Sequence, residues 1–163
     1  MREIQRTLST WASAPPRLST AIFARILRHD RDLALTTLFF EDGELRVPMI
    51  DLPIDAGVKV RIDARDVSVA LSRPMDVSIT NRLPGEIAEL ELLVPPYVRA
   101  TFNLGRTRLN ALITNESVER LALVPGLKAW AMIKTVAISD LSQDRAPRPR
   151  PWPLSRTTNR ERP

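Results

Sequence analysis

Val58-Lys-Val-Arg-Ile-Asp-Ala-Arg-Asp-Val-Ser-Val-Ala-Leu71 decides how this chain is read. Val58, Val60, Ile62 and Ala64 alternate with polar residues, the period-two pattern of a strand with one buried face. At Arg65-Asp66 the phase slips, and Val67, Val69 and Leu71 resume the alternation. One extra residue in a strand predicts a β-bulge at this point.

Working outward, the same β texture fills the chain from residue 20 onward. Residues 22–28, 33–40 and 44–49 are short apolar or alternating runs, with Asp42-Gly43 as a hairpin turn between the last two. Residues 86–94 form a strand broken by Pro95-Pro96. Val98, Ala100, Phe102 and Leu104 then alternate, Gly105 makes a turn, and Leu109, Ala111 and Ile113 alternate back. The one helical stretch of the body is 115–122, with Thr114 as its N-cap and Pro125-Gly126 closing the connection. A final strand is expected from Leu127 to Ile138.

The two halves align as an internal duplication. Gly43 pairs with Gly105 and Gly57 with Gly126. At a constant offset of 69, Lys59 then falls on Lys128, Arg65 on Lys134, Val67 on Val136 and Val69 on Ile138. The expected fold is mainly β: two tandem OB-like five-stranded barrel units, residues 20–73 and 74–141. The second unit carries the helix, and the first replaces it with the proline-containing loop VPMIDLPIDAG. Residues 1–19 read as a linker whose Ile4, Leu8 and Trp11 mark a short amphipathic helix ended by Pro15-Pro16. Residues 142–163 read as a disordered Arg/Pro-rich tail.

Charge and composition exclude several classes of function. The chain of 163 residues has a formal net charge of +5, no cysteine and one histidine. Residues 144–163 hold six arginines and two acids, a net of +4, so residues 1–143 carry only +1. The basicity therefore belongs to the tail, which argues against a nucleic-acid-binding body, and the scattered aromatics offer no base-stacking platform. Without cysteine there are no disulfides, thiolate metal sites or thiol nucleophiles. His29 sits in the charged stretch RHDRD, read as a solvated turn. Asp63 and Asp66, beside Arg61 and Arg65, read as surface ion pairs. No G-x-x-x-x-G-K-[ST] is present, hence no ATP phosphate loop, and no acid–base constellation points to an enzyme. Eighteen apolar residues never run together, and the N-terminus has no signal-peptide core, so a cytoplasmic protein is expected.

The residues that carry chemistry lie at the helix start. Thr114 and Ser117 put two hydroxyls three apart where backbone N–H groups point outward, a setting that suits an oxyanion. Lys134, read as mid-strand, adds a positive charge. The alternative is that the two hydroxyls only cap the helix and Lys134 faces water.

Three stretches, in order, resemble the molybdenum-pterin-binding (Mop) domain within the TOBE family: Ser78-Ile-Thr-Asn-Arg-Leu-Pro-Gly85, Ile113-Thr-Asn-Glu-Ser-Val-Glu-Arg-Leu121, and Pro125-Gly126 leading to Ala131-Met-Ile-Lys-Thr-Val-Ala-Ile138. The stretch Val60–Leu71 is similar to the segment preceding that domain in ATP-binding subunits of molybdate ABC transporters. The resemblance implies a domain that binds molybdate or tungstate and assembles as a homo-oligomer with sites between subunits. Carried over by position, it implicates Ser78, Asn81, Thr114, Ser117 and Lys134, while Thr80 stands where several members have arginine. It also implies a place in molybdate transport, in the cytoplasm or peripheral at the inner membrane through a transporter complex. Since the ATPase motifs are missing, the expectation is a regulatory or storage module, or a truncated transporter subunit. The alternative is a structural or dimerisation module with a vestigial site. The choice among molybdate, tungstate and sulfate stays open.

Overall fold

Among the described residues ten strands and one α-helix form, largely in the chain order that the alternation predicts, with two differences that change the architecture. The computed structural model describes residues 14–145. The short amphipathic helix expected at 2–12 lies outside these residues, as does the tail beyond 145.

The first sheet is built from β1 (Ser19–Asp30), β2 (Leu35–Phe40), β3 (Gly43–Pro48) and β4 (Gly57–Asp63). The second contains β6 (Asn81–Leu92), β7 (Tyr97–Asn103), β8 (Arg108–Thr114) and β9 (Lys128–Ile133), with helix α1 (Asn115–Arg120) after β8. The two remaining strands are exchanged. β5 (Val67–Ala70) pairs with β9, giving the order β5-β9-β6-β7-β8, and β10 (Asp140–Asp144) pairs with β4, giving β10-β4-β1-β2-β3. Both sheets are antiparallel throughout. The result is mainly β, with two OB-like five-stranded units.

The phase slip at Arg65-Asp66 is therefore not a bulge. Ala64–Asp66 form a 3-10 turn through which the chain leaves the first sheet and enters the second. The expected last strand, Leu127–Ile138, likewise ends at Ile133; Thr135–Ala137 form a second 3-10 turn, and the chain crosses back as β10. Ser142, Gln143 and Asp144, expected in the tail, pair with Lys59, Val58 and Gly57. Boundaries near 73–74 and 141–142 thus divide the sequence and not the space.

The duplication is real, but its register differs from the expected one. Ile26 donates to Ala56 O and accepts from Asp55 N; Ile87 makes the same two bonds with Leu127 O and Gly126 N. Asp55 and Gly126 both have positive φ, 73° and 89°. Thr20 stands opposite Ile62 as Asn81 stands opposite Ile133. The offset over β4 and β9 is therefore 71, not 69, and Lys134 is the counterpart of Asp63, not of Arg65. In the hairpins Leu38 faces Leu45 as Phe102 faces Leu109, an offset of 64. The seven residues gained between 64 and 71 are the insertion that holds α1. Glycine chemistry misled the alignment because the first unit makes its positive-φ turn with an aspartate, a residue that tolerates this conformation better than most.

One apolar cluster serves both units. Ile26, Leu38, Val60, Ile87, Phe102 and Ile133 are fully or almost fully buried in it. The residues that follow the exchanged turns, Val67 and Ile138, join it, each 2% exposed. The hairpin tips also meet: Asp42 accepts from the N–H groups of Arg106 and Thr107, and the Arg106 guanidinium pairs with Glu41 at 3.0 Å.

Candidate functional site

Asn81 opens β6 and is 3% exposed. Its Oδ1 accepts the Arg46 N–H at 2.7 Å; its Nδ2 donates to Arg46 O at 2.9 Å and to Thr135 Oγ1 at 3.3 Å. Both amide hydrogens are thus occupied, and the side chain ties β3 of the first sheet to the second 3-10 turn. Thr20, its counterpart, does half of this work, accepting the Asn110 N–H at 3.2 Å.

Lys134 lies beyond the end of β9, not in mid-strand. It is exposed and N-caps the 3-10 turn Thr135–Ala137 without a side-chain cap bond. Thr135, which the sequence reading did not nominate, enters through its contact with Asn81. The alternating pattern gave no sign of it, because the turn breaks the pattern. Ser78 is exposed in the bend that leads into β6. Ser78, Asn81 and Lys134 therefore belong to one end of the second unit: Ile133 pairs with Asn81, and the other two flank this pair in sequence.

Thr114 and Ser117 lie at the other end. Thr114 N-caps α1 in extended conformation, its Oγ1 accepting the Ser117 N–H at 3.3 Å and lying 3.2 Å from Ser117 Oγ. Thr114 pairs with Tyr97 at the start of β7, and Val98 pairs with Leu92 at the far end of β6. The eleven-residue path along β6 from Asn81 to Leu92 corresponds to about 36 Å at ~3.3 Å per residue. Strand direction thus separates the five nominated residues into two groups within one chain.

The counterpart of the Lys134 turn carries the opposite charge. Asp63 N-caps Ala64–Asp66, its Oδ1 accepting the Arg65 N–H at 2.9 Å while the Arg65 guanidinium pairs with its carboxylate at 2.8 Å. The Arg65 side-chain bonds hold the Asp63 carboxyl below its ordinary value; burial opposes the shift, and the backbone N–H and the charges of Arg65 and Arg17 add to it. This bears out the ion pair expected there. A cleft of about 360 Å³ beside it is lined by Arg17, Arg61, Asp63, Asp66 and Asp140, among others. His29 is not a free solvated group: its Nδ1 lies 2.8 Å from Thr36 Oγ1 and its Nε2 2.8 Å from Leu52 O, which pins the loop after β3. Among the described residues no group of His, Cys, Asp or Glu is arranged to hold a metal ion, and no helix is long and apolar enough to cross a membrane.

Residues 77–139 match the TOBE domain family model. Over 117 residues the chain is 38% identical to the molybdenum import ATP-binding protein ModC of Aromatoleum aromaticum, covering 72% of this chain and 31% of that protein. It is 36% identical over 113 residues to ModC of Mesorhizobium japonicum, covering 69% and 30%. The chain thus spans about three tenths of the length of these curated relatives. A crystal structure of the cytoplasmic molybdate-binding protein ModG, with molybdate bound, superposes with a TM-score of 0.67 at 20% identity, over 76% of this chain and 94% of that one. That likeness shows the shared fold.

Proposed function

We infer, from a TOBE-domain match at residues 77–139 joined by exchanged strands to a second copy of the same fold, that the protein is a non-enzymatic module binding molybdate or tungstate. The observation that carries this reading is that all five nominated residues fall inside the matched stretch, in the unit that keeps a lysine at the crossover turn. A tetrahedral dianion is held by several oriented neutral donors and few charges. Each bond to the charged ligand contributes about 1.5–3 kcal/mol before desolvation. Lys134 and the Ser78 and Thr135 hydroxyls supply such donors at one end. The Thr114 and Ser117 hydroxyls supply them at the other. Asn81, its amide hydrogens engaged by Arg46 and Thr135, acts by positioning the turn.

Since the two groups lie at opposite ends of one unit, a complete shell needs a second copy of the chain. The Lys134 end of one copy then faces the Thr114 end of another, and a two-fold dimer repeats the contact. A regulatory or storage role in molybdate transport is the reading we favour, supported by the similarity to ModC, of which this chain spans 31%.

The test is calorimetric titration of the full chain with molybdate and with tungstate, with Trp130 emission as a second readout and particle size measured with and without ligand. Lys134→Ala is expected to weaken binding at least tenfold, and Thr114→Val with Ser117→Ala at least as much. Absence of heat at millimolar oxyanion refutes the reading. The mutual capping of Thr114 and Ser117 favours one alternative, a structural module with a vestigial site. Under it, the triple alanine variant at 114, 117 and 134 assembles unchanged and wild-type protein binds nothing.

A further inference from the structure

We propose that the first unit's copy of the oxyanion site is closed by the protein's own side chains, so that each chain binds one oxyanion, through the second unit alone. This rests on the reading above and extends it to the number and location of the sites.

The duplication makes the comparison residue by residue. At the crossover turn, Lys134 is replaced by Asp63, Thr135 by Ala64 and Val136 by Arg65. The carboxylate of Asp63 takes the Arg65 N–H at 2.9 Å and the Arg65 guanidinium at 2.8 Å. An anion that belongs to the chain therefore already sits on the turn amide, and its cation is spent on it. In the second unit, the corresponding Val136 amide has no hydrogen-bond partner among the described residues, and Lys134 makes no cap bond. The other end has been lost as well. At the hairpin offset Thr114 corresponds to Ile50, and Ser117 lies in the insertion that holds α1 and has no counterpart, so both hydroxyls are gone; His29 and Thr36 bind the loop down instead.

The cleft beside the first crossover does not restore an anion site. Its charged lining is three carboxylates, Asp63, Asp66 and Asp140, against two guanidinium groups, Arg17 and Arg61. Arg61 is itself held by Asp140 at 3.6 Å and by Ser19 Oγ at 3.2 Å. A dianion entering this cleft meets a net negative wall. Charge and free donors point to the second unit.

Native mass spectrometry and calorimetry of the full chain with molybdate decide the matter. The expected result is one molybdate per chain, lost in Lys134→Ala, with the count unchanged and affinity within about twofold in Asp63→Asn and in Arg17→Ala. If Asp63→Asn fails to fold, Arg17→Ala and Arg61→Gln probe the same cleft. Two molybdates per chain overturn the proposal. So does one per chain that survives Lys134→Ala and disappears in Arg17→Ala. No binding at all refutes the oxyanion function itself, an outcome distinct from a wrong count.

Discussion

Asp63 releases its proton more readily than an ordinary aspartate because the Arg65 guanidinium and N–H bind only its charged form. A carboxyl whose folded pKa is depressed stabilises the fold above its unfolded value, near 3.8, and that contribution disappears as pH falls through the lower folded value. Asp63→Asn is therefore expected to lower the urea midpoint by the same amount at pH 7 and pH 5, and by progressively less below pH 4. A difference that widens toward acid contradicts the assignment. Gly105 offers a sharper residue-scale test. Its φ is +132°, and a Cβ there would lie 2.2 Å from Asp42 Oδ1, in the contact that joins the two hairpin tips. Conformational strain and overpacking each cost about 1–3 kcal/mol. Gly105→Ala is thus expected to destabilise by about 3 kcal/mol in equilibrium denaturation, leaving the proposed oxyanion binding in place.

At the scale of elements, periodicity was a good guide wherever one face of a strand is buried. β4 and β9 alternate in burial as they alternate in sequence, as does the first half of β8, and β7 does so except at Thr101, which is buried between Ala100 and Phe102. Two elements escaped it. β6 starts at Asn81, well before the expected residue 86, although Pro84 lies within it. Over 81–85 the strand pairs only with β9, the β7 ladder beginning at Glu86, so a missing N–H is tolerated there. β10 was hidden by its polar sequence, Asp-Leu-Ser-Gln-Asp, because an exposed edge strand needs little apolar surface. Its contribution is measurable: ending the chain after Ser139 removes the β4 ladder bonds and the half-buried Leu141. The expected cost is about 2–4 kcal/mol at ~0.5–1.5 kcal/mol per net hydrogen bond. The loss is expected in a single cooperative transition, because one core cluster spans both sheets. Two separated transitions would contradict the shared core.

For the whole molecule, the reciprocal exchange of β5 and β10 makes two similar units into one body. The same exchange produces two crossover turns that differ in charge, Lys134 and Val136 in one standing where Asp63 and Arg65 form an ion pair in the other, and the proposed difference between the two units rests on this. The strand directions place the helix-start hydroxyls and the lysine at opposite ends of the second unit, and this argues for assembly as a condition of binding. Alternation, turn residues and the duplication were enough to predict a mainly β chain of two five-stranded units and to nominate Thr114, Ser117 and Lys134, since these depend on local pattern, whereas Ser78 and Asn81 were nominated by the family resemblance alone. Which strand belongs to which sheet, the true register of the repeat, and which nominated residues share an end depended on tertiary pairing. A bulge and a sheet-to-sheet crossover shift the side-chain alternation in the same way, and only long-range partners such as Val67 with Ile133 and Leu141 with Val60 tell them apart.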